Sequence, residues 1–333
     1  MRGKKSSASV ARFWLHEDKE IAKIRQQLLE ERYPFGYYTE FEINDKGVLR
    51  KISAAPFRDR VVHHAIMNVI EPMFEKSFIY DTYANRKGKG VSSALYRAKK
   101  YAKKYDYYLK LDIQKYFPSI DHEILKGLLR KKISCSKTLK LLDGLIDSSN
   151  KQFKAHYYYE GDNLFTPYER KKGLPLGNLT SQFFGNLYLN RLDHYVKEVL
   201  RVGYIRYVDD FVLFFDNKTQ FQIYLKQIKT YLIRFRLTIH PHKIKFGKCQ
   251  DGFELMGHKI YKTHIRLSSK SIKRAKTRLI AIRYQYNHGK IELPEAKNRI
   301  FGTVGFMKIG DNYRLTETLL AETLLQKTSC KTQ

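Results

Sequence analysis

Cysteine is scarce in this 333-residue chain: Cys135, Cys249 and Cys330 lie far apart and never in a CxxC spacing. That excludes a disulfide framework and a zinc cage, and it fits a reducing compartment. No apolar run approaches the ~20 residues a membrane span needs. The first residues, MRGKKSSASVARFW, are basic but contain no apolar stretch of the kind that drives secretion. A cytoplasmic protein with no membrane partner is expected. Acids are the other shortage, with 33 Asp+Glu against 63 Lys+Arg and a formal charge of +30. What is plentiful is hydrophobic and aromatic mass, at 43% and 14%, including 25 Tyr and 20 Phe. Intrinsic disorder is thereby excluded, and the length suggests two or three lobes sharing a core.

A surplus of this size opposes compaction unless a polyanion takes it up, so nucleic acid or an anionic surface is the implied partner class. From Lys259 to Lys290 there are ten Lys/Arg and no Asp/Glu, with Tyr261, Tyr284 and Tyr286 among them. Cations interleaved with flat rings suit a groove that tracks phosphates better than a lipid-facing helix, which needs a continuous apolar face. The plainer alternative is a solvated basic face.

No internal repeat or low-complexity segment is present. The apolar spacing of Ile21, Ile24 and Leu28 predicts a helix over Glu17 to Glu31. A hairpin is predicted from Tyr37 to Ile52 around Asn44-Asp45-Lys46-Gly47. Helices are predicted near 59–74 and 92–104, then a strand from Tyr107 to Ile113. A Lys-rich helical stretch over 121–146 and a second hairpin over 150–172 should follow. Beyond the loop Gly173 to Gly177 a long helix, Leu179 to Leu200, is predicted, then a hairpin from Tyr204 to Phe215 with acids at its tip. A helix over 218–236, strands over 237–240 and 253–261, and a basic helical remainder complete an α+β order with an antiparallel core sheet.

Three acids stand where solvated charge is out of place. Asp112 follows an apolar strand in YYLKLDIQKYF, and Asp209 and Asp210 interrupt IRYVDDFVLFF. A carboxylate among strand formers is costly unless paired or bound to a cation, and adjacent acids in a tight turn repel each other. A few carboxylates, completed by phosphate oxygens and water, are what Mg²⁺ prefers, and two such ions serve phosphoryl transfer. The competing reading of the Asp209-Asp210 pair is an ordinary acidic turn.

Tyr207-Val208-Asp209-Asp210 resembles the YxDD signature of reverse transcriptases, and Leu111-Asp112-Ile113-Gln114-Lys115-Tyr116-Phe117 resembles their first palm motif. Leu49-Arg50-Lys51-Ile52 and Phe57-Arg58-Asp59-Arg60 are similar to the fingers motifs. Glu71-Pro72-Met73-Phe74-Glu75, followed by Tyr83-Ala84-Asn85-Arg86, is similar to the bacterial segment entering the palm. Phe253-Glu254-Leu255-Met256-Gly257 is similar to the primer grip. The set runs in the family's order over roughly 35–330. It implies a right-hand polymerase with fingers at 1–85 and 122–172, palm at 86–121 and 173–260, and a short helical thumb at 261–333.

Group II intron and retroviral enzymes typically carry Pro-Gln-Gly before the long helix. Here the loop reads Gly173-Leu174-Pro175-Leu176-Gly177-Asn178-Leu179-Thr180-Ser181-Gln182. That string resembles the GxxxGNxxSQ hallmark of diversity-generating retroelement reverse transcriptases, which copy a template-repeat RNA with errors at adenines. A glutamine beside the nascent pair would lose a buried hydrogen bond when the pair fits badly, whereas Leu176 would not, so low fidelity is expected. Leu176 serving simply as core remains the alternative. Retron or intron-derived enzymes, and a non-catalytic RNA-binding or antiphage scaffold, are the rival functions. No retron NAxxH or VTG string is present.

The resemblance implies roles for further residues. Asp112, Asp209 and Asp210, with the Ile113 carbonyl, would hold two Mg²⁺, with Mn²⁺ as a substitute. Phe117 would be the steric gate against a 2′-hydroxyl, unless it is ordinary core. Arg50, Lys51, Arg58, Leu176 and Gly177 would meet the dNTP, and Met256 and Gly257 the primer. Lys243 is the candidate general acid, with Lys245 as its competitor. The histidines at 63, 64, 240 and 242 fit surface or phosphate-contacting roles better than metal ligation. Template RNA, its cDNA duplex, dNTPs and a small helical accessory variability protein are the implied partners.

Overall fold

The structure, a computed structural model, describes residues 8–45, 48–149, 158–159 and 161–322, and the side chains of Asp45, Val48 and Arg50 fall outside that description. Helices α1 (Ala8–Leu15) and α2 (Glu17–Leu29) precede a hairpin of β1 (Thr39–Asp45) and β2 (Val48–Ala54). Its register runs from Thr39 opposite Ala54 to Asp45 opposite Val48. Helices α3 (Phe57–Glu75) and α4 (Val91–Lys104) lead to β3 (Tyr107–Asp112). Then come α5 (Tyr116–Ser119), α6 (His122–Arg130), α7 (Ser136–Ser148) and α8 (Thr166–Glu169). Helix α9 (Leu179–His194) continues as a π-helix over Tyr195–Leu200 into β4 (Gly203–Tyr207) and β5 (Asp210–Phe215). After α10 (Gln220–Ile233) and β6 (Lys245–Lys248) come three short strands, β7 (Phe253–Leu255), β8 (His258–Ile260) and β9 (Ile265–Leu267). Helices α11 (Ser269–Asn287), α12 (Leu293–Met307) and α13 (Tyr313–Ala321) close the described chain.

The central sheet has the order β4-β5-β3-β6, and every pair is antiparallel. Strand alternation sorts its residues between two faces. Leu109, Leu111, Phe211 and Leu213 face the large core formed with α3, α6, α9 and α10. Each fully buried side chain of this size contributes about 2 kcal/mol. Ile205, Val212 and Phe214 face a second core, shared with Ala94, Leu95, Ala98 and Ala102 of α4 and with Phe253, Leu255 and Ile260. The segment Asp81–Tyr83 lengthens the β4 edge, because the Arg206 amide donates to the Asp81 carbonyl and the Tyr83 amide to the Arg206 carbonyl.

Helix α9 is buried on nearly every side, its polar Thr180, Ser181, Asn186 and Asp193 included. Gly185 lets the first palm motif approach it: a Cβ there would stand 3.2 Å from the Phe117 ring. A third, small core joins Leu267, Ala275, Leu279, Met307 and Leu319 across the last helices. Mixed helix and antiparallel sheet, with a helical carboxyl-terminal lobe, is the right-hand polymerase class that the order of motifs implies.

Four local expectations need correction. The helical stretch 121–146 is two helices, because Asp121 caps α6 through Glu123 and Ile124 amides and the chain turns again before Ser136. Residues 150–157 and 160 of the expected second hairpin lie outside the described residues. Its described remainder contains α8, where Asn163 accepts from the Thr166 amide, and no strand. Residues 237–240 make only a single bridge, Ile239 to Ile113, before a 3₁₀ turn at Pro241–Lys243. The expected strand 253–261 is a tight turn between β7 and β8, and β9 completes a separate sheet. Strand β6, at the polar edge beside β3, was not anticipated.

Candidate active site

Two of the three singled-out acids face each other across the central strands. Asp112 ends β3 directly opposite Asp210, the first residue of β5. Directly opposed residues share one face of a sheet, so both carboxylates emerge on the side away from the large core. Asp209 sits one residue earlier, in the β4–β5 turn, and its carbonyl accepts the Ile113 amide at 3.3 Å. The Asp112 carbonyl accepts the His240 amide at 2.8 Å and the Thr238 carbonyl accepts the Gln114 amide at 2.9 Å. The site is therefore pinned from three chain segments.

Val208, just before the acids, has φ +60°, a left-handed conformation that a β-branched residue adopts at a cost of about 1–3 kcal/mol. Arg206 holds it there. This side chain is fully buried and donates from Nη1 to the Val208 carbonyl at 2.9 Å. Nε and Nη2 make a bidentate pair with Asp193, at 2.7 and 2.6 Å, while Nη1 and Nη2 donate to Asn186 Oδ1 and to its carbonyl, at 3.2 and 3.3 Å. Tyr204 also donates to Asp193, at 2.8 Å. A planar fork satisfied on every side is a rigid support.

The acids meet lysines. Lys243 Nζ lies 2.9 and 3.0 Å from the two oxygens of Asp112. Lys110, two residues before Asp112 on the same strand face, places Nζ 2.9 Å from Asp210 Oδ2 and donates to the Glu254 carbonyl at 3.1 Å. Among the described residues, the buried Asp210 Oδ1 has no hydrogen-bond partner. Burial, and after it the charge of Asp112, pushes the Asp209 carboxyl up to about 6. Burial also raises Asp210, against the pull of Lys110.

Such a site is short of positive charge. Among the described residues no three His, Cys, Asp or Glu side chains form a closed cation cage, and two of the acids pair with lysines. An orphaned buried carboxylate oxygen and a carboxyl raised by its neighbours nevertheless fit an open set of hard oxygen donors for Mg²⁺, to be completed by phosphate and water.

The remaining candidates distribute as follows. Phe117 is half-buried against Tyr116, Gly185 and the edge of the large core, and its carbonyl accepts the Leu174 amide at 2.9 Å. Leu176 is half-buried and its carbonyl accepts the Ser53 amide at 3.2 Å. Gly177 has φ +105°, and a Cβ there would lie 3.1 Å from Ile52. Asn178, the asparagine of the Gly173–Gln182 string, stitches this loop to β2 by accepting from the Ala55 amide at 3.3 Å and donating to the Ser53 carbonyl at 3.2 Å. The loop and the β1–β2 hairpin thus form one unit.

Lys51 pairs with Glu40 across that hairpin. The Arg50 side chain lies outside the described residues. Arg58 is spent on α2, with Nη2 2.6 Å from Gln27 and Nε 3.2 Å from Glu20, so α2 holds it in this structure. Met256 and Gly257 form the β7–β8 turn, both at positive φ as a two-residue hairpin loop requires. Lys245 reaches Glu254 at 3.9 Å and makes no pair with the three acids, unlike Lys243. His63 is buried on α3 and His240 accepts the His242 amide at 3.3 Å.

The sequence profile described as Reverse transcriptase (RNA-dependent DNA polymerase) matches residues 43–260, more than half of the chain. The chain belongs to the reverse transcriptase family. Its similarity to Protein YkfC of Escherichia coli K12 is 25% identity over 287 residues, covering 74% of this reverse transcriptase and 72% of YkfC. The Putative COX1/OXI3 intron 2 protein of Saccharomyces cerevisiae is 23% identical over 178 residues, 53% of this chain and 20% of that protein. The Group II intron-encoded protein LtrA of Lactococcus lactis is 25% identical over 185 residues, 55% of this chain and 29% of LtrA. This chain therefore spans less than a third of either intron protein. A solved telomerase from Candida albicans, in complex with a telomeric RNA fragment, superposes with a TM-score of 0.49 at 10% identity, covering 92% of this chain and 58% of that one. No helix among the described residues is long and apolar enough to cross a membrane.

Proposed function

We propose that this reverse transcriptase extends a primer on an RNA template and copies it with low fidelity at adenines, as in diversity-generating retroelements. One observation carries the polymerase reading: Asp112 and Asp210 are register partners on the central strands, with Asp209 in the adjoining turn. Asp112, Asp209, Asp210 and the Ile113 carbonyl are the groups to hold two Mg²⁺. Bound there, the ions would activate the primer hydroxyl and stabilise charge on the departing pyrophosphate.

The chain's own residues do the rest. The primer 3′-hydroxyl loses its proton to water and its oxygen bonds to the α-phosphorus of the dNTP as the bond from that phosphorus to the α,β-bridging oxygen breaks. Lys243 Nζ gives a proton to the leaving pyrophosphate, a role supported by its place beside Asp112. Phe117 bars a ribose 2′-hydroxyl, and Met256-Gly257 supports the primer end. The loop at Leu176 and Gly177, tied to β2, forms the floor under the new base pair, with Arg50 and Lys51 of the same hairpin as the candidates to meet the triphosphate. Fingers at 1–85 and 122–172, palm at 86–121 and 173–260 and thumb at 261–333 follow from these roles. The basic α11 tracks the RNA–cDNA duplex by its phosphates. A small helical accessory protein belongs to the same reading.

The finer assignment is supported by the string Gly173 to Gln182 and by Leu176 in place of a polar side chain. The likeness to intron-encoded proteins favours a second reading, an intron-derived enzyme of ordinary fidelity. Primer extension on a defined RNA with Mg²⁺, comparing the native chain with Asp209→Ala, tests the activity. Extension by the native chain alone is expected; extension by both or by neither contradicts it. Sequencing the cDNA separates the two readings, since adenine-focused errors are expected only under the first.

A further inference from the structure

Beyond the edge of the central sheet lies a basic pocket of about 410 Å³, remote from the acids. It opens beside Gly203 at the start of β4, six residues from Asp209, or roughly 20 Å along the chain at the rise of a strand. Arg97, Lys100 and Lys104 of α4 line it on one side, and Lys197 and Arg201 on the other. Its floor is aromatic. A Cβ at Gly203 would stand 2.8 Å from the Tyr105 ring and 3.1 Å from Tyr101, so glycine is what lets both rings lie on the strand.

The charge balance of this pocket is lopsided. Asp81 is buried behind two of the lining cations, Arg97 and Lys197, and it is saturated. It accepts from Arg97 at 2.7 and 3.3 Å, from the Tyr101 hydroxyl at 2.6 Å and from Lys197 at 3.1 Å. Lys100 and Lys104 are exposed and, among the described residues, have no acidic partner. Among the described residues Arg201 donates only to the Glu198 carbonyl, at 3.2 Å, and has no acidic partner. Asp81 therefore holds two cations in fixed positions while three more remain for a ligand.

Two backbone irregularities meet at the same place. The last turns of the α9 rod are a π-helix, Tyr195–Leu200, a form that costs regular hydrogen bonding and clusters at functional positions. Arg201 follows at φ +52°, left-handed for a residue with a Cβ. Together they turn Lys197 onto Asp81 and bring Arg201 to the rim. Tyr80, which is 68% exposed with Lys89 Nζ 3.3 Å from its ring centroid and Arg97 5.4 Å away, adds a flat platform beside the cations.

We infer that this pocket is a second RNA-binding site, which grips phosphates of the template strand outside the duplex held at the acids. Cations fixed in place, spare lysines and exposed rings are the combination that binds single-stranded nucleic acid through backbone charge and stacking. The inference rests on RNA being the template of this chain. It gives the enzyme a hold on flanking RNA that survives translocation at the acids.

Lys100→Glu/Lys104→Glu, on the exposed face of α4, is compared with the native chain on two probes. One is a short blunt primer–template duplex; the other is the same duplex with a single-stranded RNA tail. Affinity for the tailed probe should fall about tenfold or more, and the slope of log affinity against log salt should become shallower by about two. Affinity for the blunt probe should stay within about twofold. The neutral pair Lys100→Gln/Lys104→Gln, which adds no repulsion, should show the same pattern at smaller size. Unchanged affinity for the tailed probe overturns the inference. Equal losses on both probes overturn it as well, by placing the lysines at the duplex. Undiminished RNA binding with lost binding to polyglutamate would overturn it in favour of an acidic protein. The binding measurements decide the pocket whether or not extension occurs, so failure of the polymerase reading is separately visible.

Discussion

Replacing Arg206 with Met isolates what positions the acidic turn. The substitution leaves the Asp193 carboxylate, at 0% exposure, with the Tyr204 hydroxyl in place of a bidentate guanidinium. Removing one partner of a buried pair costs about 3–5 kcal/mol. The same change frees the Val208 carbonyl, which Arg206 holds at 2.9 Å, so the left-handed φ of Val208 loses its support. Urea unfolding should register the stability loss. The double variant Arg206→Met/Asp193→Leu removes the uncompensated charge and should recover most of it, because a packed apolar pair often replaces a buried ion pair without loss. Its rate of single-nucleotide incorporation, measured where all three proteins are folded, should nonetheless stay about tenfold or more below native, equivalent to about 1.4 kcal/mol at the barrier. A single variant that loses less than about 1 kcal/mol would refute the energetic argument. A double variant with native turnover would refute the positioning role.

Burial holds the His63 imidazole down at about 4, against the opposing charge of Asp59, and neither ring nitrogen has a hydrogen-bond partner among the described residues. The unfolded chain takes the proton first as pH falls. The stability contributed by neutral His63 is thus complete above about pH 6.5 and lost between there and about 4, some 3 kcal/mol in all. His63→Leu should flatten that fall in unfolding free energy; identical pH slopes would contradict it. Gly257→Ala forces a Cβ to 2.7 Å from Ser271 Oγ and 3.1 Å from the Phe306 ring at φ +79°. It should cost about 1–3 kcal/mol and weaken primer binding, whereas Gly302→Ala, with nothing within 4 Å in mid-α12, should be neutral or stabilising. Leu176→Gln should lower misincorporation opposite template adenine in sequenced cDNA; equal error rates would show that this side chain does not set fidelity.

Much of this architecture could be read from the residues, and its gaps have physical causes. Tyr107–Asp112 and Tyr204–Phe215 stood out because each is long, rich in strand formers and broken only by acids, so the sheet and its carboxylates were visible together. Strands β7, β8 and β9 have three residues each, too few for a period of two to show. Strand β6, Lys245–Lys248, is a polar edge and looks like a loop. In the stretch 150–172 three adjacent tyrosines suggested strand, whereas Asn163 and Thr166 start a helical turn.

The acids were legible at the site because carboxylates are rare among strand residues. Their supports were not, since Lys110 and Arg206 are two cations among 63. Only the two-residue spacing from Asp112 on one strand face points to Lys110. Arg206 stands three residues before Asp209 with nothing local to say that Asp193, on the helix before, awaits it.

The most direct test of the account counts ions rather than products. Mn²⁺ binding, followed by electron paramagnetic resonance with primer, RNA template and a non-reactive nucleotide analogue bound, reads the acids themselves. The account predicts two ions per native chain, with loss of at least one in Asp112→Asn and in Asp210→Asn. Undiminished binding in both variants would contradict it.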